Sequence, residues 1–352
     1  MERLYFDANA SVPPVPAAAA AAADAAVRLW ANPTSTHREG QGPRLELEEA
    51  RRAVAAALGA APAEVVFCAS ATEALHLLLR GLREALGARP AAVFPGEHSA
   101  CLNPLRDWED LRWLPCDASG CATVVQMAAS NETGIRYPMP QVPGAVRIMD
   151  AAQAWGKVDL DLSVCDAAVL SAHKMGGLRG AAVLWMRPGL PWKAVMEGPQ
   201  ERRRRGGTED VPAILALAEA ARAVPARIEA NAALAPLRDA LEAEVLSWNP
   251  GYEAIGRDRE RLPNTSALLL RGHSGEAVQI ALDLAGFAVS TGSACHSGAV
   301  KPSHAITSLG YTEAEARSVI RISLLPGTTP PQVEALAEAL KRVLGPRPNL
   351  PR

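Results

Sequence analysis

A lysine in the segment Ser171-Ala172-His173-Lys174 has a position that suits covalent chemistry. Lys174 follows the apolar run 167–172 and shortly precedes two consecutive glycines, Gly176 and Gly177. That run predicts a buried strand of a parallel sheet, and the ligands of open α/β sheets bind where such strands end. A partly desolvated amine loses its proton more readily and attacks carbonyl groups, whereas an isolated lysine is usually a solvated surface charge. Lys174 therefore predicts Schiff-base chemistry if other strand ends carry suitable partners.

Four further segments place polar groups where predicted strands end. Residues 70–73 combine small side chains and hydroxyls at the start of a helix, where free amides suit a phosphate. His98 offers an imidazole that can stack on a ring and move protons, and Asn131 offers an amide. Asp150 offers a carboxylate that would keep a ring nitrogen protonated. Each has an ordinary interpretation as a cap, turn or solvated loop residue, but together with Lys174 they indicate pyridoxal phosphate (PLP).

These groups lie among predicted strands and helices, and strands dominate from residue 65 to residue 186. Short apolar runs predict strands at residues 65–69, 91–95, 123–128, 146–150, 167–172, 181–186, 265–270, 288–290 and 319–323. Helical periodicity appears at residues 43–58, 72–86, 211–224, 228–246, 275–285, 312–318 and 331–344. The first six strands suit a parallel sheet, and the mixture after residue 262 suits a smaller α+β unit. A domain boundary is expected near the helix 228–246.

Length, charge and composition exclude several classes of protein. The chain has 352 residues, which is long enough for two domains. Its formal net charge is -2, so it lacks the excess of positive charge that is typical of nucleic-acid-binding proteins. The longest apolar block, residues 17–23, is followed by Asp24 and Arg28 before it reaches the length of a membrane span. The first residues lack the layout of a signal peptide. We expect a cytoplasmic protein without a membrane partner.

The cysteines indicate reactivity at one position. The six cysteines contain no Cys-x-x-Cys pair and no histidine partners at zinc-finger spacing, so neither a disulfide framework nor a metal site is expected. Cys295 differs from the others because it lies in a polar, glycine-containing segment, residues 290–298. An exposed cysteine in such a segment is a candidate reactive thiol.

The chain resembles the cysteine desulfurases of PLP fold type I, in the aminotransferase class V family, over nearly its whole length. The matching segments are residues 5–10, 32–37, 70–74, 96–98, 130–134, 150–153, 171–174, 205–208, 290–295 and 321–323. The stretch between His98 and Asp150 is shorter than in typical members. The resemblance implies an α/β fold with a large PLP-binding domain, residues 13–232, built on a mainly parallel seven-stranded sheet. A smaller α+β domain, residues 1–12 and 233–352, would carry Cys295.

The resemblance also implies the residues of the site. The residues implied to contact the cofactor are Ala71, Thr72, His98, Asn131, Asp150, Gln153, Ser171, His173, Lys174 and Thr208. Lys174 would hold PLP covalently, Asp150 would pair with its ring nitrogen, Gln153 would contact its ring hydroxyl, and His98 would stack on the ring. Thr208 would reach the phosphate bound by a neighbouring subunit, so a homodimer with shared sites is implied.

The implied reaction is the conversion of L-cysteine to L-alanine. Arg321 and Asn131, with Asn32, would bind the substrate carboxylate, for which a forked guanidinium is well suited. Catalysis would use Lys174, His98 and Cys295, whose thiolate would take the sulfur as a persulfide. The sulfur would then pass to an acceptor protein, for example in iron-sulfur cluster assembly or tRNA thiolation.

Two alternatives stay open on the sequence alone. Another PLP enzyme of the same fold, such as a selenocysteine lyase or a small aminotransferase, would use the same lysine without Cys295. A non-catalytic relative that serves as a binding scaffold would need none of these groups. The presence of Lys174, Asp150 and His98 together speaks against the scaffold.

Overall fold

The computed structural model describes residues 3–106, 108–291 and 302–345, which divide into two units. The sheet unit comprises residues 12–129 and 137–228, and the terminal unit comprises the described residues of 3–11, 130–136 and 229–345. The predicted domains, 13–232 against 1–12 and 233–352, follow a similar division but assign residues 130–136 to the large domain. Across the three described ranges, no helix combines the length and the apolar character needed to cross a membrane.

Both helices and strands occur throughout the described part of the chain. In order they are β1 (Leu4–Tyr5), α1 (Pro16–Arg28), α2 (Arg38–Ala57), β2 (Val65–Cys68), α3 (Ala71–Leu86), β3 (Ala91–Val93), α4 (Ser99–Leu105), β4 (Leu111–Trp113), β5 (Thr123–Met127), β6 (Val146–Asp150), β7 (Ala167–Ser171), β8 (Ala182–Met186), α5 (Gln200–Arg203), α6 (Val211–Arg222), α7 (Val224–Ala232), α8 (Ala235–Trp248), β9 (Tyr252–Ala254), β10 (Thr265–Leu270), α9 (Gly275–Leu284), β11 (Phe287–Ala288), β12 (Ser290–Thr291), α10 (His304–Thr307), α11 (Glu313–Ala316), β13 (Val319–Ser323) and α12 (Pro330–Leu344).

The sheet unit is built on a seven-stranded sheet in the order β2-β8-β7-β6-β5-β3-β4. Six of the seven strands run in the same direction, and β8 runs in the opposite one. The prediction of a mainly parallel seven-stranded sheet is therefore confirmed. Strands β2, β5, β7 and β8 are buried at every position, which explains their continuous apolar sequences. The apolar side chains of α2 and α6 pack in one core cluster, and those of α3 pack in a second.

The terminal unit is a smaller α+β structure. Its antiparallel sheet has the order β12-β13-β10-β9, and β1 pairs in parallel with β11. The core consists of apolar side chains from β10 and β13 together with those of α8, α9 and α12. Segments from the beginning and the end of the described chain therefore pack together here, because Phe6 belongs to the same cluster as Leu336.

Three of the predicted elements are wrong in their bounds. The helix expected at 43–58 begins earlier, at Arg38, and Pro43 lies inside it. The single helix expected at 228–246 is two helices, α7 and α8, because Pro236 cannot continue a preceding helix and instead lies in the first turn of a new one. The strand expected at 288–290 is divided between β11 and β12, which belong to two different sheets.

Side chains complete the exposed edge of the large sheet at β2. Glu201 accepts a hydrogen bond from the Phe67 amide at 2.8 Å, Arg51 donates to the Val65 carbonyl at 3.0 Å, and Arg205 donates to the Phe67 carbonyl at 2.9 Å. An edge strand otherwise presents unpaired backbone groups. The guanidinium of Arg51 also forms two hydrogen bonds with the Glu201 carboxylate, at 2.6 and 2.9 Å. This ion pair is buried, with side-chain exposures of 2% and 0%.

The same ion pair anchors a turn with unusual backbone angles. Glu201, Arg202 and Arg203 have φ values of 48°, 58° and 65°, in the left-handed region. This conformation costs non-glycine residues roughly 1–2 kcal/mol each, so it persists only where surrounding contacts hold it. Beyond the turn, a Cβ on Gly206 would lie 2.3 Å from the Glu197 carbonyl oxygen, so only glycine fits there. The loop that leads to Thr208 is therefore fixed by the ion pair at Glu201 and by the close packing at Gly206.

The buried ion pair makes a prediction about stability. Replacing Arg51 by methionine leaves the Glu201 carboxylate buried without its cation, so the free energy of unfolding should fall by about 3–5 kcal/mol. Arg52→Met on the same helix breaks an exposed pair with Glu49 and should cost less than about 1 kcal/mol. Urea unfolding of both variants measures the difference. Equal losses would show that the buried pair does not hold the edge of the sheet.

Candidate active site

The carboxyl ends of the parallel strands bring several predicted site residues to one edge of the sheet unit. Asp150 is the last residue of β6, and the neighbouring strand β7 leads into a 3₁₀ turn, Ala172–Lys174, that ends at the predicted lysine. His98 follows β3, and Ala71 and Thr72 follow β2. The sheet therefore places these five side chains along a single edge, where ligands of such sheets bind.

The start of α3 presents amides at this edge. Ser70 is the N-cap and its hydroxyl accepts a hydrogen bond from the Glu73 amide at 3.1 Å, while the Glu73 carboxylate accepts from the Ala69 amide at 2.5 Å. Ser70 is thus an ordinary helix cap. The amides of Ala71 and Thr72 lie in the first turn, where a helix provides no internal partner. They are the donors that a phosphate would use.

Asp150 is a buried carboxylate with a neutral neighbour. It is 7% exposed, and its Oδ1 accepts a hydrogen bond from the Ala152 amide at 2.9 Å. Glu97 is fully buried nearby, and burial together with the charge of Asp150 raises its pKa well above its usual range. The Glu97 carboxyl also accepts a hydrogen bond from the Met127 amide. Removal from water and the nearby carboxylate therefore favour the protonated form of Glu97.

His98 has a defined tautomer. It is the N-cap of α4, and its Nδ1 accepts a hydrogen bond from the Ala100 amide at 3.1 Å. An N–H group donates only to an unprotonated ring nitrogen, so the imidazole proton lies on Nε2. The ring is partly exposed, which leaves a face for stacking.

Lys174 lies in the turn after β7. Ser171 and His173 precede it, and a tight turn at Gly176 follows it. Ser171 Oγ lies 3.1 Å from His173 Nδ1. Burial, followed by the positive charges of Lys174 and Arg179, lowers the pKa of His173 to about 4, so this imidazole is neutral at pH 7. Gly176 has a φ of 94°, and a Cβ there would lie 2.9 Å from the Arg227 guanidinium. Only glycine permits this close turn.

Two further cofactor candidates lie in the same unit. Gln153 is buried in the turn after β6, and its Oε1 accepts a hydrogen bond from Lys157 at 2.8 Å. Thr208 is exposed although Arg205, Gly206 and Glu209 around it are buried. The loop therefore presents the Thr208 hydroxyl away from its own unit's core.

These donors fit PLP. The phosphate would meet the amides of Ala71 and Thr72 and the side chains of Ser171 and His173. Asp150 forms no ion pair within the part of the chain that the structure describes, so a protonated ring nitrogen would supply the cation that its buried carboxylate lacks. Lys174 provides the amine for a Schiff base. Phosphate donors, a buried carboxyl group and a lysine therefore occur together in one unit.

The predicted substrate residue Arg321 lies in the terminal unit, on β13. Its Nη2 pairs with Asp7 Oδ1 at 2.5 Å and its Nη1 donates to the Asn131 carbonyl at 3.1 Å. The side chain is 4% exposed, and its buried Nε has no hydrogen-bond partner among residues 3–106, 108–291 and 302–345. Asn9 donates to the same Asn131 carbonyl at 3.1 Å, so this backbone oxygen is fixed from two directions. One N–H of a well-held guanidinium is therefore left for a ligand.

Glu132, the residue after Asn131, is a second buried carboxyl group in this unit. Burial raises its pKa to about 7, although the Ser303 hydroxyl and the charge of Arg321 act in the opposite direction. Ser303 Oγ donates to Glu132 Oε2 at 2.5 Å and also caps α10. Glu132 therefore fixes the start of α10 to the segment that contains Asn131.

Two predicted residues are less informative. Asn32 lies in the turn before α2, where its Oδ1 accepts hydrogen bonds from the amide and hydroxyl of Thr34. Cys295 lies outside the described residues. Among the residues that are described, no cluster of three or more histidine, cysteine or acidic side chains has the arrangement of a metal site.

The sequence analysis missed two buried acidic residues, one in each unit. Glu97 and Glu132 lie in segments that carry the family resemblance, next to His98 and next to Asn131. A charged residue in a loop is usually solvated, so the pattern gave no sign of burial. Their adjacency to predicted site residues was the only available signal.

The buried Glu132 carboxyl predicts a pH dependence of stability. Between its ordinary pKa of 4.5 and about 7, the unfolded chain ionises while the folded chain retains the proton. The contribution of Glu132 to stability is thus fully present below pH 4.5 and is lost as the pH rises to about 7, by about 3 kcal/mol. Glu132→Gln should abolish this loss in urea unfolding at pH 5 and pH 8. The exposed control Glu313→Gln should leave it unchanged, and an unchanged loss in Glu132→Gln would contradict the assignment.

Comparison with known proteins identifies the family of this chain. The aminotransferase class-V family model matches residues 4–336. A cysteine desulfurase of Cereibacter sphaeroides is 35% identical, covering 98% of this chain and 96% of its own length. An IscS-like cysteine desulfurase of Mycobacterium tuberculosis is 34% identical, covering 96% and 95%.

Solved structures give the same result. A structure described as a NifS-like protein has a TM-score of 0.88 at 27% identity and covers 97% of this chain and 99% of its own. The structure described as SspA in complex with cysteine has a TM-score of 0.77 at 26% identity, covering 92% and 99%. The family resemblance and the PLP fold type I architecture expected from the sequence are confirmed. The chain belongs to the aminotransferase class-V family.

Proposed function

We propose that the protein is a PLP-dependent cysteine desulfurase, which converts L-cysteine to L-alanine and transfers the sulfur to Cys295. The observation that carries the proposal is the pairing of β6 with β7, which sets the buried Asp150 beside the strand that leads to Lys174. The relatives named cysteine desulfurase support the choice of reaction. Cys295 lies in residues 290–295, one of the segments that resemble the cysteine desulfurase family.

The residues of the sheet unit would hold the cofactor and move protons. When bound, PLP withdraws electrons from the α-carbon of an amino acid and so allows its C–S bond to break. Asp150 would keep the ring nitrogen protonated, and Gln153 would bind the ring hydroxyl. The neutral His98 would lie on the ring with its proton on Nε2. Lys174, once displaced by the substrate amine, would carry the α-proton.

The terminal unit would supply the groups that recognise and desulfurate the substrate. Arg321 would bind the α-carboxylate, helped by Asn131 and by Asn32 of the sheet unit. Cys295 as a thiolate would attack the substrate sulfur, so that an S–S bond forms as the C–S bond breaks. The products are L-alanine and a persulfide on Cys295, and the atoms of L-cysteine are all accounted for.

We further propose a cytoplasmic homodimer that passes sulfur to an acceptor protein, in iron-sulfur cluster assembly or tRNA thiolation. The exposed Thr208, on a loop held by buried neighbours, supports a contact with the cofactor phosphate of a partner subunit. In that arrangement neither subunit would have a complete site alone.

The role of Cys295 is tested by Cys295→Ser. After loading with PLP, this variant should retain the cofactor absorbance but release sulfide from L-cysteine more slowly by about two orders of magnitude or more. Cys116→Ser, which alters an exposed cysteine of the sheet unit, is the matched control and should behave as wild type. Mass spectrometry of the wild type should find alanine and a persulfide at Cys295. Unchanged turnover in Cys295→Ser would favour another PLP enzyme of this fold.

The role of Lys174 is tested by trapping the cofactor. Borohydride reduction of the PLP-loaded wild type should leave the cofactor on the peptide that contains Lys174, because only a Schiff base is reduced to a stable amine. Lys174→Ala should trap none, whereas Lys193→Ala, at an exposed lysine, should trap as much as wild type. A wild type that stays colourless with PLP would favour the scaffold alternative.

A further inference from the structure

A second lysine, Lys157, is buried in the turn that follows β6. Only 3% of the residue is exposed, and its Nζ donates a hydrogen bond to Gln153 Oε1 at 2.8 Å. Gln153 itself is 4% exposed. Burial of an ammonium group is costly unless polar partners compensate for the lost water, and the Gln153 oxygen is one such partner of Lys157.

The hydrogen bond fixes which way the Gln153 amide faces. A side-chain amide has an accepting oxygen and a donating NH₂ group, and its partners decide between two orientations that differ by a flip. An ammonium group only donates. The amide oxygen must therefore face Lys157, and Nε2 of Gln153 faces away from it.

We propose that Lys157 is a positioning residue, which locks Gln153 so that its Nε2 donates a hydrogen bond to the ring oxygen of PLP. The inference rests on the proposed function, in which Gln153 contacts that oxygen. In the flipped orientation the amide would turn its own lone pairs towards an oxygen that carries negative charge. Lys157 removes this orientation without touching the cofactor.

The orientation of the Gln153 amide should affect the absorption spectrum of the bound cofactor. The negative charge on the ring oxygen increases when the nitrogen that joins Lys174 to the cofactor loses its proton. A donor to that oxygen therefore stabilises the deprotonated form and lowers the pKa at which the visible absorption band shifts. Loss of the hydrogen bond from Lys157 to Gln153 should therefore raise this pKa.

The test is a pH titration of the absorption spectrum of the PLP-loaded holoenzyme, which needs no turnover. Lys157→Met keeps most of the buried aliphatic volume, and it should raise the pKa of the chromophore by about one unit. Lys157→Arg retains both donor and charge and should stay close to wild type. The exposed control Lys193→Met should also leave the pKa unchanged.

A double-mutant comparison separates the lock from the simple loss of a positive charge. In a Gln153→Leu background, Lys157→Met should add no further shift, because there is no amide left to orient. The same shift in both backgrounds would mean that Lys157 acts through its charge alone and would overturn the inference. An unmoved pKa in Lys157→Met would overturn it as well.

The outcomes also separate this inference from the proposed function. A wild type that forms no visible band with PLP would overturn the proposed function together with the inference. A normal band whose pKa does not respond to Lys157 would overturn the inference alone.

If Lys157→Met does not fold, as judged by circular dichroism, the comparison of Lys157→Gln with wild type replaces it. Lys157→Gln removes the charge but keeps a donor, so the inference requires a pKa nearer to wild type than that of Gln153→Leu.

Discussion

The sheet unit depends on the parallel register of its central strands. Asp150 on β6 pairs with Met127 on β5 and with Val169 on β7, so these strands reach the same edge together. Because parallel strands share a direction, every polar residue just beyond a carboxyl end is delivered to that edge without a long loop. A helix start, an imidazole, a carboxylate and a lysine thus meet although they are distant in sequence. Their chemistry follows from topology rather than from any local motif.

The edge strands of such a sheet have backbone groups without a neighbouring strand, and these groups need other hydrogen-bond partners. On β2 the partners are charged side chains. Arg51 and Glu201 occupy the positions that another strand would fill, and they satisfy backbone groups of Val65 and Phe67. The ion pair is satisfied on all sides, which is the condition under which buried charges are tolerated. Since Glu201 also begins the left-handed turn before Gly206, the stability of the sheet edge and the position of the Thr208 loop depend on the same contact.

The main strands were predictable because burial on both faces makes their sequences continuously apolar, and the amphipathic helices were predictable from their periodicity. The two- and three-residue strands β1, β4 and β9 were not, since they are too short for a pattern. The alanine-rich α1 lacks a clear polar face. In the site, Lys174 and Asp150 were predictable from their places after apolar runs. The burial of Glu97, Glu132 and Lys157 was not, because it depends on residues distant in sequence.

Burial raises the pKa of an acidic group in each unit of this protein, and the cause is the loss of water around the carboxyl group. Glu97 has no exposed surface and lies near Asp150, so a negative charge on Glu97 would be both desolvated and repelled. In the terminal unit, burial raises the pKa of Glu132 to about 7, whereas Asp7 is less buried and pairs directly with Arg321. Elsewhere a bonded cation offsets the cost of burial, as Arg51 does for Glu201, and a protonated ring nitrogen would do the same for Asp150.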